Sequence, residues 1–520
     1  MAITIGLDFG THQTKICIED TADKQNPHYS FWKFKDTKGQ RQLVCPSVVQ
    51  VNVDNTLSYG FVSDDNCKKG FHIDYKEPRK PTLEKPTLIL PEPAIPYEVP
   101  DIVDEKELTS EELSKYKEIK ARIENTNRSH RGNYNLLCQF ANAHYNAKLK
   151  RYNDEKIRYE QQLAKWQKQT TTPAPIRYFY FKQAVFSIFE WRYREISPLH
   201  LSVWYIANIL FDLEDKYGQD FSIQMGVPTG AKDLDSKKQL ATSVLLSAYK
   251  LVEETFGNNK EKFLSTTMED LLSVTEIVPY SANKKQEYGI KVFPEAYAGL
   301  RMIASRGKIV NGLSLNVDIG GGTTDLSFFT IQNNKPHIYR YESMPIGINW
   351  IVQEAFGKTS ILKQTARIDT LSTSQNKSAQ QRLSLAIQSF HKQLTDTQIS
   401  VIKTLYEVWF LKNGTQNSSS LNQSLQNRPV IYMGGGSTYK QLRKAISKFS
   451  EIHIVNDKFW SSTNIEYVGN LYPVLNTALG LSVGEVNDDI EIHSISDLWG
   501  DVTSSYSDDV QEDYNLMDMN

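Results

Sequence analysis

The chain has 520 residues, 40% of them hydrophobic and 23% charged, with a formal net charge of −2. That length exceeds what one hydrophobic core supports and implies roughly two to four domains. The near-neutral charge gives no general case for nucleic-acid or membrane binding, and four cysteines without a CxxC pair (Cys17, Cys45, Cys67, Cys138) argue against a zinc site or disulfide framework and fit a reducing cytoplasm.

The N-terminus, MAITIGLDFG, has no basic patch followed by an apolar stretch, so no signal peptide is expected. The most apolar long segment, 203–211, is far shorter than the roughly 20 residues a bilayer span needs. Ile3 to Leu7 reads as an apolar strand ending in Asp8-Phe9-Gly10-Thr11, and a second strand from Lys15 to Ile18 completes a hairpin. Residues 43–53 give another strand.

Between residues 76 and 100 the composition changes: Pro78, Pro81, Pro86, Pro91, Pro93, Pro96 and Pro100 exclude helix and central strand and predict an extended spacer. Thr109-Ser110-Glu111-Glu112 predicts a capping box that opens a charged helix. A break is expected at 125–133, around Gly132, followed by a second helix over about 134–168. Its stripe is Tyr145, Leu149, Tyr152, Tyr159, Leu163 and Trp166, at spacings of four and three with Lys156 interrupting. Residues 76–175 thus read as an insertion: proline spacer, coiled-coil-like helical hairpin, short linker.

Strands and helices alternate afterwards. Residues 197–216 form an amphipathic helix with a Ser197-Pro198 start, 221–227 a strand, 234–256 a helix, and strand 289–293 leads into Pro294-Glu295-Ala296 and a further helix. Leu313, Leu315, Val317 and Ile319 lead into Gly320-Gly321-Gly322-Thr323, and Leu326, Phe328 and Phe329 follow it. A mostly helical region over 350–412, a Ser/Asn/Gln-rich loop at 413–427 and a strand at 429–433 precede Gly434-Gly435-Gly436-Ser437. The tail, 485–520, is acidic without Lys or Arg and reads as disordered, with Leu498-Trp499 and Leu516-Met517 as candidate docking elements.

Three glycine-containing turns therefore recur in order, two of them carrying an aspartate at the end of the preceding strand. Glycine lets backbone approach a ligand closely, and successive N–H groups in such turns form anion-binding nests. Two hairpins facing each other would clasp a polyphosphate, with Asp8 and Asp318 orienting a hydrated Mg²⁺ and Thr323 offering a hydroxyl.

GLDFGT (6–11), VDIGGGTTD (317–325) and MGGGST (433–438) resemble the phosphate-1, phosphate-2 and adenosine motifs of the actin/DnaK-type heat-shock chaperone/sugar kinase ATPase superfamily. VCPSVVQV (44–51) and the 196–218 helix look most like the DnaK-type chaperones, and the resemblance covers most of 1–75 and 176–484. It implies an α/β, actin-like ATPase fold: two duplicated, ribonuclease H-like lobes around a nucleotide cleft. Lobe I would span 1–311 with an outer subdomain at about 31–196 carrying the insertion, and lobe II 312–484 with an outer subdomain at about 348–424.

The resemblance also implies ATP/ADP and Mg²⁺ as cofactors and a set of site residues. Asp8 and Asp318 would hold the metal. Gly10, Thr11, His12, Gly320, Gly321, Gly322 and Thr323 would hold phosphates, and Gly347, Gly434, Gly435, Gly436, Ser437 and Tyr439 the rest of the nucleotide. Lys15, Glu295 and Asp325 join Asp8 and Asp318 as catalytic groups, with Glu295 positioning the attacking water. Departures are visible: no lysine aligns after the Pro-Ser-Val-Val strand, although Lys68 and Lys69 are near. Lys15 stands where actin-like members carry a phosphate-binding lysine, and Pro294-Glu295 has the order of the plasmid-partitioning actin-like proteins. Tyr439 replaces an arginine, and no peptide-binding β-domain is expected in the 485–520 remainder. The expectation is a cytoplasmic, ATP-driven switch acting on a protein partner through the insertion or the tail. The alternatives are a self-assembling actin-like filament protein, a nucleotide-binding pseudo-ATPase and a small-molecule kinase, for which no clear sugar-pocket signature is present.

Overall fold

A computed structural model describes residues 3–23, 26–62, 69–71, 80–92, 109–171, 175–186, 191, 196–229, 233–305, 312–356, 368, 376–413, 425, 428–445, 449, 451–460, 464–484, 488–490, 492–495 and 497. Lys68, most of the 413–427 loop, Leu498-Trp499 and Leu516-Met517 lie outside them. The fold is mixed α/β and contains two five-strand paths of the same design.

The first consists of β1 (Ile3–Phe9), β2 (Gln13–Asp20), β3 (His28–Phe31), β4 (Phe221–Val227) and β5 (Ile290–Pro294). β1, β2 and β3 form an antiparallel meander, while β4 runs parallel to β1 and β5 parallel to β4, giving the order 3-2-1-4-5. The second consists of β6 (Ser314–Ile319), β7 (Thr324–Gln332), β8 (Lys335–Met344), β9 (Pro429–Met433) and β10 (Glu451–Ile454), and repeats that order and those strand senses. β1 is buried from Thr4 to Phe9 and β4 throughout, as central strands covered on both faces must be; this is why they read as continuous apolar runs. A smaller sheet joins Leu57–Tyr59, Val49–Val51, Ile176–Tyr178 and Lys69–Phe71 in that order.

Contacts divide the chain into two compact units, Lys76–Pro173 and the remainder. Within the smaller unit the expected helical hairpin is not present. α1 (Ser110–Thr171) is one helix of 62 residues, about 93 Å long at 1.5 Å per residue. Gly132 costs only about 1 kcal/mol inside a helix, and no proline interrupts the run. The start is the expected capping box, with Thr109 N and Oγ1 donating to Glu112 at 3.0 and 2.7 Å. Glu111–Lys115 and Glu118–Arg122 pairs at 3.1 Å support the first turns.

In the larger unit, α2 (Phe181–Phe186), α3 (Pro198–Tyr217) and α4 (Leu234–Lys250) belong to the first half, α3 starting on a Ser197 cap and a proline. α5 (Glu295–Ser305) follows β5, α6 (Ile348–Phe356) and α7 (Lys377–Asn413) cover the second sheet, and α8 (Tyr472–Ser482) follows β10. α5 and α8 share a core with residues of both sheets, among them Cys17 and Phe31 from the first and Phe329 and Met433 from the second. Small residues allow this layer: a Cβ on Gly6 would run into the α8 backbone at Ala478, and one on Gly480 into the α5 backbone at Ala298.

The tail is ordered further than its acidity suggests. Asp488 is 7% exposed; it pairs with Lys285 at 2.7 Å and accepts from the Val292 N–H of edge strand β5 at 2.7 Å. Lys238 donates to the carbonyls of Asp488 (2.8 Å) and Ile490 (3.3 Å). Ile492 then bridges to Ile338 on edge strand β8, and the His493 N–H donates to the Ile338 carbonyl at 2.8 Å. Residues 488–490, 492–495 and 497 thus depart from the disordered reading: Asp488 is paired, Asp497 accepts the Ser494 N–H at 2.8 Å, and Ile490, Ile492 and Ile495 supply apolar contacts. Among the described residues Cys17, Cys45 and Cys138 are free, and no helix is long and apolar enough to cross a membrane.

One buried acid is poorly compensated. Glu214 of α3 is 7% exposed, and among the described residues Gln219 is the one group that favours its charged form. Burial, then repulsion from Glu253, pushes its pKa up to about 7 from 4.5. The folded state thus holds this proton more tightly than the unfolded chain, so stability falls as pH rises from about 4.5 through about 7. Glu214→Gln is expected to raise the unfolding free energy at pH 8 by roughly 1–2 kcal/mol and to change it little at pH 4.5, checked by urea unfolding at both.

Candidate functional site: a cleft between two glycine turns

β1 and β2 place Asp8 directly opposite Lys15, and the two form an ion pair at 2.9 Å. β6 and β7 place Asp318 directly opposite Asp325. In both hairpins the second residue stands seven positions after the first, so the two turns have matching length. The first turn is held from below: Ser47 Oγ donates to the Gly10 carbonyl at 2.7 Å and shares a 3.0 Å hydrogen bond with Thr14 Oγ1, while the Ser47 N–H donates to the His12 carbonyl at 3.0 Å. The second closes on itself through Gly320 N–H to the Thr323 carbonyl at 2.9 Å. It is then tied to the start of α6: the amides of Ile348 and Asn349 donate to the carbonyls of Gly320 and Gly321 at 3.1 and 2.9 Å.

These turns meet. A Cβ on Gly321 would stand 2.7 Å from the His12 Cβ, and one on Gly322 would stand 3.3 Å from Thr11 and 3.4 Å from the Tyr180 ring. They enclose a cavity of about 120 Å³ lined by Asp8, Gly10, Thr11, His12, Lys15, Glu295, Asp318, Gly320, Gly321, Gly322, Thr323, Asp325, Gly434 and Gly435. The expected positions are not all equivalent, however: Gly347 supports the second turn from behind, against the carbonyls of Gly320 and Gly321. Gly436 and Ser437 are buried beside Ile319 and Gly434, and Tyr439 packs on the core of the second sheet, so none of these three lines the cavity.

The residue that sequence reasoning missed is Lys182, in the first turn of α2. Its ammonium is ion-paired with Glu295, its side chain is 4% exposed, and it lies 6.0 Å from the Phe9 ring centroid. The signal was present: Phe179, Tyr180, Phe181, Val185 and Phe186 surround it, and a lysine in such a run has little access to water unless it turns to a partner. Glu295 opens α5 over Gly226, where a side chain on β4 would crowd its Cγ, and the Ala296 N–H donates to Thr229 Oγ1 at 3.0 Å.

Four carboxyl groups therefore share the cavity with two ammonium groups. Burial, then Asp325, pushes the Asp318 carboxyl up to about 7. Burial also raises Glu295, against the pull of Lys182, and raises Asp325 although Ser343, Tyr341 (2.7 Å) and Thr323 (3.2 Å) donate to it. Burial opposes the Lys15 charge, but Asp8, Asp318 and Glu295 outweigh it and raise its pKa. Burial, then Lys15, lowers His12 to about 4, so it is neutral at physiological pH. Chemically, the arrangement offers turn amides and two cations to an anion, hard oxygen ligands to a cation, and a carboxylate at Glu295 able to orient a nucleophile.

Gly434 ends β9 at φ 80°, where a Cβ would run into Asp318 Oδ1. Gly434→Ala is expected to cost about 2 kcal/mol of stability through both strain and this clash, read by urea unfolding. No protein-family model matches the chain, and no curated protein matches its sequence.

Proposed function

We propose that the chain binds and hydrolyses ATP as a nucleotide-driven conformational switch of the actin/DnaK-type superfamily, acting on a protein partner. The observation that carries this reading is the meeting of two equivalent glycine turns, one from each of two sheets of the same order, over a cavity that also holds Asp8 and Asp318. The amides of the turns, with Lys15 and Lys182, would bind the phosphates. Lys182 would supply, from the segment after the insertion, the ammonium that the chaperones supply after their Pro-Ser-Val-Val strand. Glu295 would orient the attacking water, and catalysis would rest on positioning and electrostatics.

The donor set fits Mg²⁺. The cavity holds two more acids than cations, all of them hard oxygen donors, and Asp318 is short of neighbouring positive charge. Among the described residues no group of three or more His, Cys, Asp or Glu could hold a metal, which suits an ion that keeps its waters and uses one or two carboxylates, here Asp8 and Asp318. Bound there, the ion would neutralise phosphate charge.

A cavity of about 120 Å³ is smaller than the roughly 300 Å³ of ordinary ligand pockets, so nucleotide binding would be accompanied by parting of the two halves. That movement would be the output, read by a partner on the 76–175 insertion or the acidic tail. One observation favours a second reading, an actin-like filament protein: Lys15 is in register with Asp8 and lines the cavity.

The test is MgATP binding, turnover and light scattering on the full chain. Wild type is expected to hydrolyse ATP without scattering, and Asp318→Ala to lose Mg²⁺-dependent binding. Glu295→Gln should keep binding but lose turnover by about 100-fold or more. Scattering that rises with ATP would move the assignment to the filament class, and failure to bind ATP would remove the nucleotide reading. Because Asp318 must lose a proton with a pKa of about 7 to take part in cation binding, Mg²⁺-dependent affinity should weaken as pH falls from 8 to 6, measured by titration calorimetry.

A further inference from the structure

Tyr180 connects the strand Ile176–Tyr178 to α2, and its φ of 57° lies in the left-handed region. The other non-glycine residues with positive φ among those described are Asn55, Asn258, Asn333 and Asn334, a side chain that tolerates this conformation. Tyrosine does not, so its neighbours must hold it there.

Its surroundings come from both halves: it shares a small buried cluster with Val48 and Phe179 of the first, and its polar contacts reach the second. Tyr180 is 8% exposed, and its hydroxyl accepts from Asn349 Nδ2 at 2.8 Å. Asn349 is 4% exposed; its backbone amide holds the Gly321 carbonyl at 2.9 Å, and its side chain also approaches His12 Nδ1 at 3.5 Å. The Tyr180 ring faces Gly322. Towards the first half, the Tyr180 carbonyl accepts the Ala184 N–H at 3.0 Å, which starts α2 and directs Lys182 to Glu295. One physical chain thus runs from the second glycine turn through Asn349, Tyr180 and Lys182 to Glu295.

We propose that Tyr180 and Asn349 are positioning residues that form a latch between the two halves: the latch holds the glycine turns together and, through the turn at residue 180, sets Lys182 on Glu295. Opening the cleft breaks the Asn349 hydrogen bond, releases residue 180 from its left-handed conformation and withdraws Lys182. Closure and assembly of the site are then one event. This deepens the switch reading and rests on it for its kinetic arm alone.

The experiment is amide hydrogen exchange of the full chain without nucleotide, comparing wild type, Tyr180→Phe, Asn349→Leu and the double variant, together with ATP binding and turnover. Loss of one hydrogen bond should speed exchange in both 10–13 and 320–323 about tenfold in either variant, leave β1 and α3 unchanged, and add little in the double variant. Turnover should fall about tenfold with nucleotide Kd within about threefold. If wild type does not bind ATP but the exchange pattern appears, the latch stands and the nucleotide reading falls. If wild type hydrolyses ATP and neither variant changes exchange of the turns, the latch is overturned. Exchange that rises throughout the molecule in both variants also overturns it, since the residues are then merely structural.

Discussion

Four carboxyl groups and two ammonium groups line one cavity of about 120 Å³. An excess of buried negative charge is costly, and the protein bears it through several devices at once. Lys15 crosses its hairpin to Asp8, Lys182 reaches Glu295 from a different segment, and three hydroxyls converge on Asp325. Asp318 is left least compensated and takes up a proton near neutral pH. The layers around the cavity, two sheets with α5 and α8 between them, keep these groups from relaxing apart. The same imbalance is what would make the cavity attractive to a cation.

The two halves share a backbone design and differ in sign at one matched position. Lys15 faces Asp8, whereas Asp325 faces Asp318. Hairpins of one layout thereby place a cation on one side of the cavity and an additional acid on the other. That difference, with Lys182 and Glu295 from the first half, makes the cavity asymmetric although the strands that line it are laid out alike.

The strands and their turns were legible because each rests on local sequence: continuous apolar runs end in an aspartate and glycines, and the register follows from hairpin length. Asp8, Lys15, Asp318 and Asp325 fall in the cavity for that reason. Lys182 was not legible, because its role depends on a meeting with Glu295 across 113 positions of chain. Tyr180 depends likewise on Asn349. The expected break near Gly132 failed for the opposite reason: glycine weakens a helix by an amount that its neighbours over 62 residues readily offset. The tail misled through composition, which records many acids but not that Asp488 has Lys285 and a free strand amide waiting for it. Gly436, Ser437 and Tyr439 follow a glycine turn of similar wording, yet the helical turn after Gly434 leads them into the core.

Sheets have borders as well as faces, and an unpaired border strand is a template for another chain. β5 and β8 are such borders, one in each half, and the segment from Asp488 to His493 touches both: a carboxylate caps the Val292 amide, and a backbone amide takes the Ile338 carbonyl. On the other side, Ile465 bridges to Tyr29 of β3. The acidic stretch that reads as a loose end thus serves as a hem, covering part of one border strand in each half.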